Sequence, residues 1–329
     1  NLRYISIDGI LFTKNYETLL CFPAKHYLSR YTIPQNVTAI GHSSFCNCSM
    51  LESITIPASV TSIGNFAFFS CTKLRFITIP ANVTSIGDQA FSHCSNLHSI
   101  NVDCNNSHYA SIDGILYSKN CDTLLSFPAN HHLSSYTVPT SVTSIGDQAF
   151  YCCSDLKSIT IPTSVTTIGD KAFACCTSLQ SITIPTSVTS IGNYAFSSCN
   201  NLRFITIPAS VAAIGQFAFD QCYRLQSINV DNENIHFTSA DGIFFTKNYE
   251  TLLCFPAGHH LSNYTIPANV RSINNFAFFK CLNLQSITIS SDILSIGEAT
   301  FSFCSNLKSL TIPSTVTSIG KSAFRYCCK

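Results

Sequence analysis

Short segments in which apolar residues alternate with serine and threonine recur along the whole chain. In one representative segment, Leu179–Pro185, Ile182 and Ile184 alternate with Ser181 and Thr183. A period of two predicts a strand with one buried face, and the proline predicts the end of that strand because it cannot donate a ladder hydrogen bond.

The residues that follow this strand predict the rest of one structural unit. We expect a second short strand over 188–191, after which Gly192 lets the backbone turn. Ala195 and Phe196 are then expected on a short helical or 3₁₀ segment. Each such unit would form one coil of a solenoid.

The unit repeats at a constant 23-residue interval, which the leucine that opens each unit marks most clearly. Ten units follow the pattern L-x-x-I-x-I-P-x-x-V-T-x-I-G-x-x-A-F-x-x-C. Repetition at a fixed period of this length is typical of solenoid architectures. The opening leucines form three runs: Leu51, Leu74 and Leu97; Leu156, Leu179, Leu202 and Leu225; and Leu284 and Leu307.

Three longer modules interrupt this spacing. Two gaps between opening leucines are longer than the ordinary interval, and each equals one unit plus an insertion of the same length in both places. The long modules cover about 1–34, 100–138 and 228–266, and all three carry Asp-Gly followed by Lys-Asn, Thr-Leu-Leu and Pro-Ala. We expect each to form a β-hairpin, with its polar turn at 118–120 in the second module.

The size of the unit decides how the chain can be stabilised. A coil this short cannot bury its own apolar face, so stability has to come from stacked neighbours. We therefore expect one array over 1–329, a curved, right-handed, parallel β-rich coil with hairpin insertions. Neither end resembles a capping repeat, which predicts a fragment of a longer protein whose uncapped ends allow oligomers.

Charge and hydropathy argue against two classes of partner. The 18 Lys and Arg nearly balance the 17 Asp and Glu and are spread along the chain, so no basic patch indicates nucleic acid or an anionic membrane. No apolar run reaches the roughly 18 residues that span a bilayer, and the first residues do not resemble a signal peptide. We expect no nucleic-acid partner and no membrane insertion by this segment.

The repeat resembles the leucine-rich repeats of the BspA-like family, 23-residue class, over essentially the whole chain. Three departures from the pattern are Asn274 for glycine, Ser290 for proline and Ala212 for threonine. The resemblance implies a leucine-rich repeat solenoid. It also implies a non-enzymatic cell-surface or secreted protein that adheres to host protein, extracellular matrix or glycan, as in mucosal bacteria and protozoa.

Ten of the 18 cysteines occupy one repeat position and predict a buried thiol ladder, in which cysteine packs as a small apolar residue. Zinc needs four ligands that converge on a point, whereas these thiols lie on a line, so we expect no metal site. Cys104 and Cys121 occur only in the middle long module and are candidates for a disulfide, with Cys152 and Cys175 as a weaker pair. The ladder residues are Cys48, Cys71, Cys94, Cys153, Cys176, Cys199, Cys222, Cys281, Cys304 and Cys327.

Histidines recur in the long modules just after Pro-Ala, at His26, His131 with His132, and His259 with His260. The modules are separated by several coils, so these histidines cannot converge on a metal ion, and we expect structural roles. No nucleophile elbow, phosphate loop or metalloprotease motif occurs, and no carboxylate pair stands apart from the repeat turns. We therefore expect no enzyme and no cofactor.

Four N-glycosylation sequons occur, at Asn36, Asn82, Asn105 and Asn263, with a poorer one at Asn47. The repeat supplies Val-Thr after a turn residue, so an asparagine at that turn creates a sequon without selection for a glycan. The sequons are therefore either glycosylated or a by-product of the repeat, and both interpretations stay open. Glycosylation would require secretion from a eukaryotic cell.

The outward strand positions are expected to form a continuous Ser/Thr face, which is the predicted binding surface. Arg75 with Phe76, Arg203 with Phe204, and Arg30 stand out from it as candidate anchors. Alternatively, these phenylalanines only pack against their cross-strand neighbours. A second hypothesis for the whole protein is an intracellular protein–protein interaction scaffold, which the many thiols favour.

Overall fold

The structure is a computed structural model that describes residues 3–327. The chain forms a β-solenoid of about 13 turns with parallel stacked strands, so the predicted leucine-rich repeat solenoid is confirmed. The residues fall into two compact units, Asn1–Ser134 with Ser141–Asp155, and Ser135–Thr140 with Leu156–Lys329.

The predicted Leu-x-x-Ile-x-Ile strand is present in each coil. These strands have alternating buried and exposed residues, as Phe76–Ile79 illustrates with Ile77 and Ile79 in the core. Numbered in chain order, they are β4 (Arg30–Thr32), β6 (Ser53–Thr55), β8 (Phe76–Ile79), β10 (Ser99–Val102), β14 (Ser135–Thr137), β16 (Ser158–Thr160), β18 (Ser181–Ile182), β20 (Phe204–Ile207), β22 (Ser227–Val230), β26 (Asn263–Thr265), β28 (Ser286–Thr288) and β30 (Ser309–Thr311).

These strands stack in register as parallel sheets. In the first unit the order is β10-β8-β6-β4, and the second unit contains β14-β16-β18-β20-β22 and β26-β28-β30. The repeat period sets the register, since each serine pairs with the equivalent position one coil away, as Ser158 does with Ser181. We call this the Ser/Thr sheet.

The predicted second strand is also present, two residues long in each coil. Its isoleucine is buried in most coils and its first residue is partly exposed. These strands are β5 (Ala39–Ile40), β7 (Ser62–Ile63), β9 (Ser85–Ile86), β15 (Ser144–Ile145), β17 (Thr167–Ile168), β19 (Ser190–Ile191), β21 (Ala213–Ile214), β27 (Ser272–Ile273), β29 (Ser295–Ile296) and β31 (Ser318–Ile319).

Each long module contains a three-stranded antiparallel meander, where the sequence predicted a single hairpin. In the second module, a first turn at Asp113 and Gly114 has positive φ angles of 49° and 77°, and the predicted polar turn connects the second and third strands. Asp-Gly favours this two-residue turn because both residues tolerate positive φ. The strands are β1 (Tyr4–Ile7), β2 (Ile10–Thr13), β3 (Thr18–Cys21), β11 (Tyr109–Ile112), β12 (Ile115–Ser118), β13 (Thr123–Ser126), β23 (Phe237–Ala240), β24 (Ile243–Thr246) and β25 (Thr251–Cys254).

The third strand of each meander joins the stack of short strands. It pairs in parallel with the next short strand, β3 with β5, β13 with β15, and β25 with β27. The long module thereby occupies a coil position of its own while adding two outer strands.

The predicted helical or 3₁₀ segment is wrong. Between 3 and 327 no residue is helical, and the segment from the glycine position to the ladder cysteine consists of successive turns. Two residues of each segment have positive φ, for example Tyr194 at 55° and Ser198 at 60°. A right-handed helix cannot continue through such residues.

Hydrogen bonds between coils explain these turns. The amides of Tyr194, Phe196 and Ser198 donate to the carbonyls of residues 216, 218 and 220 in the next coil, at 2.8–2.9 Å. A helix would instead keep these bonds within one segment. We call the stacked segments the turn ladder; its segments are 41–48, 64–71, 87–94, 146–153, 169–176, 192–199, 215–222, 274–281, 297–304 and 320–327.

The glycine that opens most ladder segments has a different role from the one expected. Gly192 does not have a positive φ, and a Cβ atom placed on it would lie 2.5 Å from the backbone nitrogen of Asp170 in the preceding coil. Glycine is required there because the two backbones approach closely.

Phenylalanine rings form the centre of the core. Phe196 is completely buried and stacks between Phe173 and Phe219, with ring centroids 5.4 and 5.9 Å away. Phe45 and Phe68 stack at 5.1 Å in the first unit in the same way. Where ordinary coils are adjacent within a unit, each ring is therefore buried against the equivalent ring of the next coil.

Candidate functional site

On the exposed side of the Ser/Thr sheet, side chains at equivalent strand positions line up in rows. In the first unit, Cα pairing aligns Arg30, Ser53, Phe76 and Ser99 in one row. In the second unit the equivalent row is Ser135, Ser158, Ser181, Phe204 and Ser227, and a further row is Asn263, Ser286 and Ser309. We call these the Ser/Thr face, together with the adjacent threonine rows.

Hydroxyl groups on this face donate hydrogen bonds to polar side chains of the preceding coil. Ser158 Oγ donates to Ser135 Oγ at 2.8 Å, and Ser286 Oγ donates to Asn263 Oδ1 at 2.5 Å. Each hydroxyl can also accept further bonds, so the face offers closely spaced donors and acceptors to a partner.

The structure places every predicted anchor on this exposed face or beside it. Phe76 and Phe204 are 54% and 53% exposed, and Arg30, Arg75 and Arg203 are exposed. Arg30 and Phe76 share one row two coils apart, whereas Phe204 belongs to the other unit.

His98 lies between the Phe76 anchor and a neighbouring polar cleft, because it contacts the ring and lines the cleft. The Phe76 ring lies 5.6 Å from the His98 ring. Arg75 lines a shallow polar cleft with Glu52, Lys73, Asn96, His98 and Asn130. An apolar ring beside charged and amide groups is a common composition for a protein-binding hot spot. The role of Phe76 and of these polar residues in binding stays a prediction.

The buried thiol ladder is confirmed. Nine of its cysteines are buried and Cys327 is partly buried, and the thiols donate to the carbonyl of the phenylalanine one coil back, as Cys199 does to Phe173 at 3.1 Å. Burial raises the pKa of Cys199 well above its ordinary value. Because the thiolate is the reactive form, these residues should be inert in the folded chain.

We expect a thiol-specific reagent to separate ladder cysteines from exposed ones. Cys21 is exposed and should react at once, whereas Cys199 should react only after denaturation. Mass-spectrometric mapping of labelled sites before and after denaturation measures this. Labelling of Cys199 as fast as Cys21 would contradict the buried ladder.

The same experiment tests the predicted Cys104–Cys121 disulfide. Cys104 is exposed and Cys121 is partly buried, and both are free thiols in the structure, so the bridge stays a prediction. Labelling of Cys104 as readily as Cys21 would mean that it does not form. Cys152 and Cys175 are both partly buried, and their bridge is equally untested.

Three of the recurring histidines have structural roles, whereas His132 and His260 are exposed. His131 and His259 are buried. The Nε2 atom of His131 bonds the carbonyl of Asp113 at 2.9 Å, and that of His259 bonds the carbonyl of Asp241 at 2.8 Å. Their Nδ1 atoms accept backbone N–H groups two residues later, so Nε2 carries the proton. His26 makes the same two bonds. Burial lowers the pKa of His131 and His259, which keeps both rings neutral at pH 7.

Within 3–327, no group of three or more His, Cys, Asp or Glu is arranged to hold a metal ion.

All sequon asparagines are exposed. Asn36, Asn82, Asn105 and Asn263 lie in turns or at a strand end, and the poorer site at Asn47 is exposed as well. Asn82 donates its amide to the carbonyl of Ala58 at 2.7 Å, a bond that a glycan would have to replace. Glycosylation stays a prediction.

Sequence analysis missed two buried asparagines, one in the second and one in the third long module, that join the module to the coil before it. Asn234 is fully buried; its Nδ2 donates to the carbonyls of Pro208 and Val211, and its Oδ1 accepts the amides of His236 and Phe237, at 2.8–2.9 Å. Asn106 makes the same four bonds in the first unit. Their identical position in two modules was the available signal.

Together, stacked coils, a phenylalanine core and a thiol ladder define a leucine-rich repeat solenoid. The sequence matches the BspA type leucine rich repeat region in six copies, over residues 20–128, 123–249 and 253–329. The chain belongs to this family. None of the described residues forms a helix long and apolar enough to cross a membrane.

Solved structures share this fold. The chain is 27% identical to a leucine rich cell surface protein from Faecalibacterium prausnitzii A2-165, with a TM-score of 0.52, and the match covers 98% of this chain and 86% of that one. A leucine-rich repeat protein from Eubacterium ventriosum ATCC 27560 is 24% identical with a TM-score of 0.52, covering 91% of this chain and 76% of that one. No curated protein matches the sequence.

Proposed function

We propose that this protein is a non-enzymatic cell-surface or secreted recognition protein that adheres through its Ser/Thr face. The partner would be a host protein, extracellular matrix or a glycan. The observation that carries the proposal is the row Arg30, Ser53, Phe76 and Ser99, in which an exposed ring and a guanidinium interrupt a run of hydroxyls. Its family and the cell-surface relative from Faecalibacterium support it.

The composition of the face suggests how it would bind. Serine and threonine hydroxyls each contribute little, but many are held at fixed spacing, so several weak bonds form at once. Rigid aromatic anchors lose little conformational entropy on binding and supply apolar contact area. Affinity would therefore depend on Phe76 and Phe204 more than on any single hydroxyl.

We expect the double variant Phe76→Ala with Phe204→Ala to bind at least tenfold more weakly to those members of an immobilised panel of matrix proteins and glycans that bind the unaltered chain. Both rings are half exposed, so the unfolding midpoint should not change. Surface plasmon resonance and thermal unfolding measure the two quantities.

Tyr27→Ala provides the matched control, because Tyr27 is 80% exposed and lies outside the Ser/Thr rows. Equal affinity of the double variant and the control would rule out Phe76 and Phe204 as binding anchors. Failure of the unaltered chain to bind any panel member would rule out adhesion to these partner classes.

An intracellular scaffold is the second candidate, and the exposed free thiols of Cys21 and Cys104 favour it because oxidising compartments rarely leave such thiols unpaired. Labelling intact source cells with a membrane-impermeant reagent separates the two. Labelled protein supports the surface assignment, and protein labelled only after lysis, and absent from the medium, supports the scaffold.

A further inference from the structure

The polar cleft beside Phe76 carries an excess of positive charge. Lys73 and Arg75 are cations, and Glu52 is the one carboxylate among the described residues that line it. The chain as a whole is nearly neutral, with 18 Lys and Arg against 17 Asp and Glu. Clefts in which one sign of charge prevails attract ligands of the opposite sign, so this cleft favours an anionic group.

Stacked coils bring the groups of the cleft together. Glu52, Arg75 and His98 each follow the opening leucine of a coil. The amide of His98 donates to the carbonyl of Arg75 at 2.8 Å, and the amide of Arg75 donates to that of Glu52 at 3.3 Å. The three side chains therefore start from adjacent coils, roughly 4.8 Å apart along the stack. Asn130 of the long module joins them, because its amide donates to the carbonyl of Leu97 at 2.9 Å.

Among the described residues, neither cation of the cleft is neutralised by a neighbouring side chain. Lys73 Nζ contacts the uncharged sulfur of Met50 at 3.7 Å. In the same part of the chain, the Arg75 guanidinium makes no ion pair or hydrogen bond, although Glu52 lines the same cleft. Both cations are exposed. A guanidinium presents a planar fork of N–H donors that fits the two oxygens of a carboxylate.

Groups that can bind hydroxyls lie beside the two cations. His98 Nδ1 donates to the carbonyl of Asn96 at 2.6 Å, which leaves Nε2 to bond a hydroxyl group. Asn96 Nδ2 donates to the carbonyl of Thr72 at 2.6 Å, which leaves Oδ1 as an acceptor. The Phe76 ring, 5.6 Å from the His98 ring, adds an apolar surface. A sugar presents hydroxyl groups at its edge and C–H groups on its face, and this combination of groups matches both.

We propose that the polar cleft binds a uronic acid residue of a linear polysaccharide. The sugar carboxylate pairs with Arg75 and Lys73. Hydroxyl groups of the sugar bond His98 and Asn96, and a sugar ring packs on Phe76. The assignment rests on the proposed adhesive function and names the partner of the Ser/Thr face in the first unit.

The rows of the Ser/Thr face favour an internal sugar of a polymer over a terminal one. The row Arg30, Ser53, Phe76 and Ser99 runs alongside the cleft and continues one coil beyond it, to Arg30. Sugars next to the uronate therefore meet serine hydroxyls, and the exposed Arg30 offers a further cation for a second carboxylate. A polymer with regularly spaced carboxylates would then be held at more than one point.

Calorimetric titration of the intact chain with a hyaluronan hexasaccharide tests the assignment, because every second sugar of this probe is a uronate. The control ligand is the same hexasaccharide with its carboxylates reduced to alcohols. We expect saturable binding of the acidic form and at least tenfold weaker binding of the reduced form, which lacks the charge that the two cations pair with. Equal binding of both forms, or no saturable binding of the acidic form, would overturn the proposal.

Three variants locate the site. Lys73→Ala with Arg75→Ala should weaken binding of the acidic hexasaccharide at least tenfold. The melting temperature should stay unaltered, because both side chains are exposed. Glu52→Gln removes the carboxylate of the cleft and should strengthen binding about threefold. Lys308→Ala removes a cation at the repeat position of Arg75 in the second unit and should leave the affinity unchanged. Unaltered affinity in the double variant, or weaker binding in Glu52→Gln, would refute the site.

The panel of matrix proteins and glycans distinguishes failure of this assignment from failure of the adhesive function. If the hexasaccharide does not bind but other panel members do, the uronate assignment is overturned and adhesion stands. If neither the hexasaccharide nor any panel member binds, both proposals are overturned.

Discussion

Replacing Phe196 with alanine is expected to lower the free energy of unfolding by about 4 kcal/mol. The ring is fully buried and stacks against Phe173 and Phe219 in the two neighbouring coils. Its removal opens a cavity that backbone bonds between coils prevent from collapsing. Since a solenoid is stabilised mainly by contacts between adjacent coils, one substitution weakens two interfaces. Denaturant titration followed by circular dichroism measures the change.

Phe204→Ala is the matched control, because this phenylalanine is in the same unit but is 53% exposed. Its effect should stay within about 0.5 kcal/mol. A similar loss in both variants would mean that burial does not set the cost, and the stacked core described above would be incorrect.

Replacing Asn234 with alanine is expected to cost a similar amount, about 4 kcal/mol, although the residue is polar. Its side chain makes four hydrogen bonds to backbone groups of the long module and of the preceding coil. Alanine would leave several buried donors and acceptors unpaired, and each such group costs about 1–3 kcal/mol. Thermal and denaturant unfolding measure the loss.

Two further variants at this junction separate hydrogen bonding from size. Asn234→Asp keeps the acceptor but places an oxygen against the carbonyls of Pro208 and Val211, so it should be no better than alanine. Asn232→Ala, at an exposed position, should be neutral. Full stability of Asn234→Asp would show that the amide donor is unimportant.

Most of the stacking could be predicted from the sequence because the period of the repeat fixes the register. Arg30 and Phe76 are separated along the chain by twice the repeat length, and they share one row of the sheet. Burial of Cys199 and exposure of Phe204 follow from the period-two pattern and the repeat position. The sequence therefore predicts the arrangement of side chains on the Ser/Thr face, but it does not identify the ligand.

The turn ladder could not be predicted from local preferences. Tyr194 and Ser198 adopt positive φ, which their own side chains disfavour, because bonds to the next coil compensate for the strain. Sequence patterns report local preference, and here an interaction between coils decides the conformation.

The uniformity of the turn ladder also affects how such a chain can change in evolution. Wherever two ordinary coils meet within a unit, the same three amides meet the same three carbonyls, so duplication or deletion of one repeat unit recreates an existing junction. Recombination can thus lengthen or shorten the protein in whole steps without new complementary mutations. The length of the array is therefore a heritable variable that selection can adjust independently of side-chain identity.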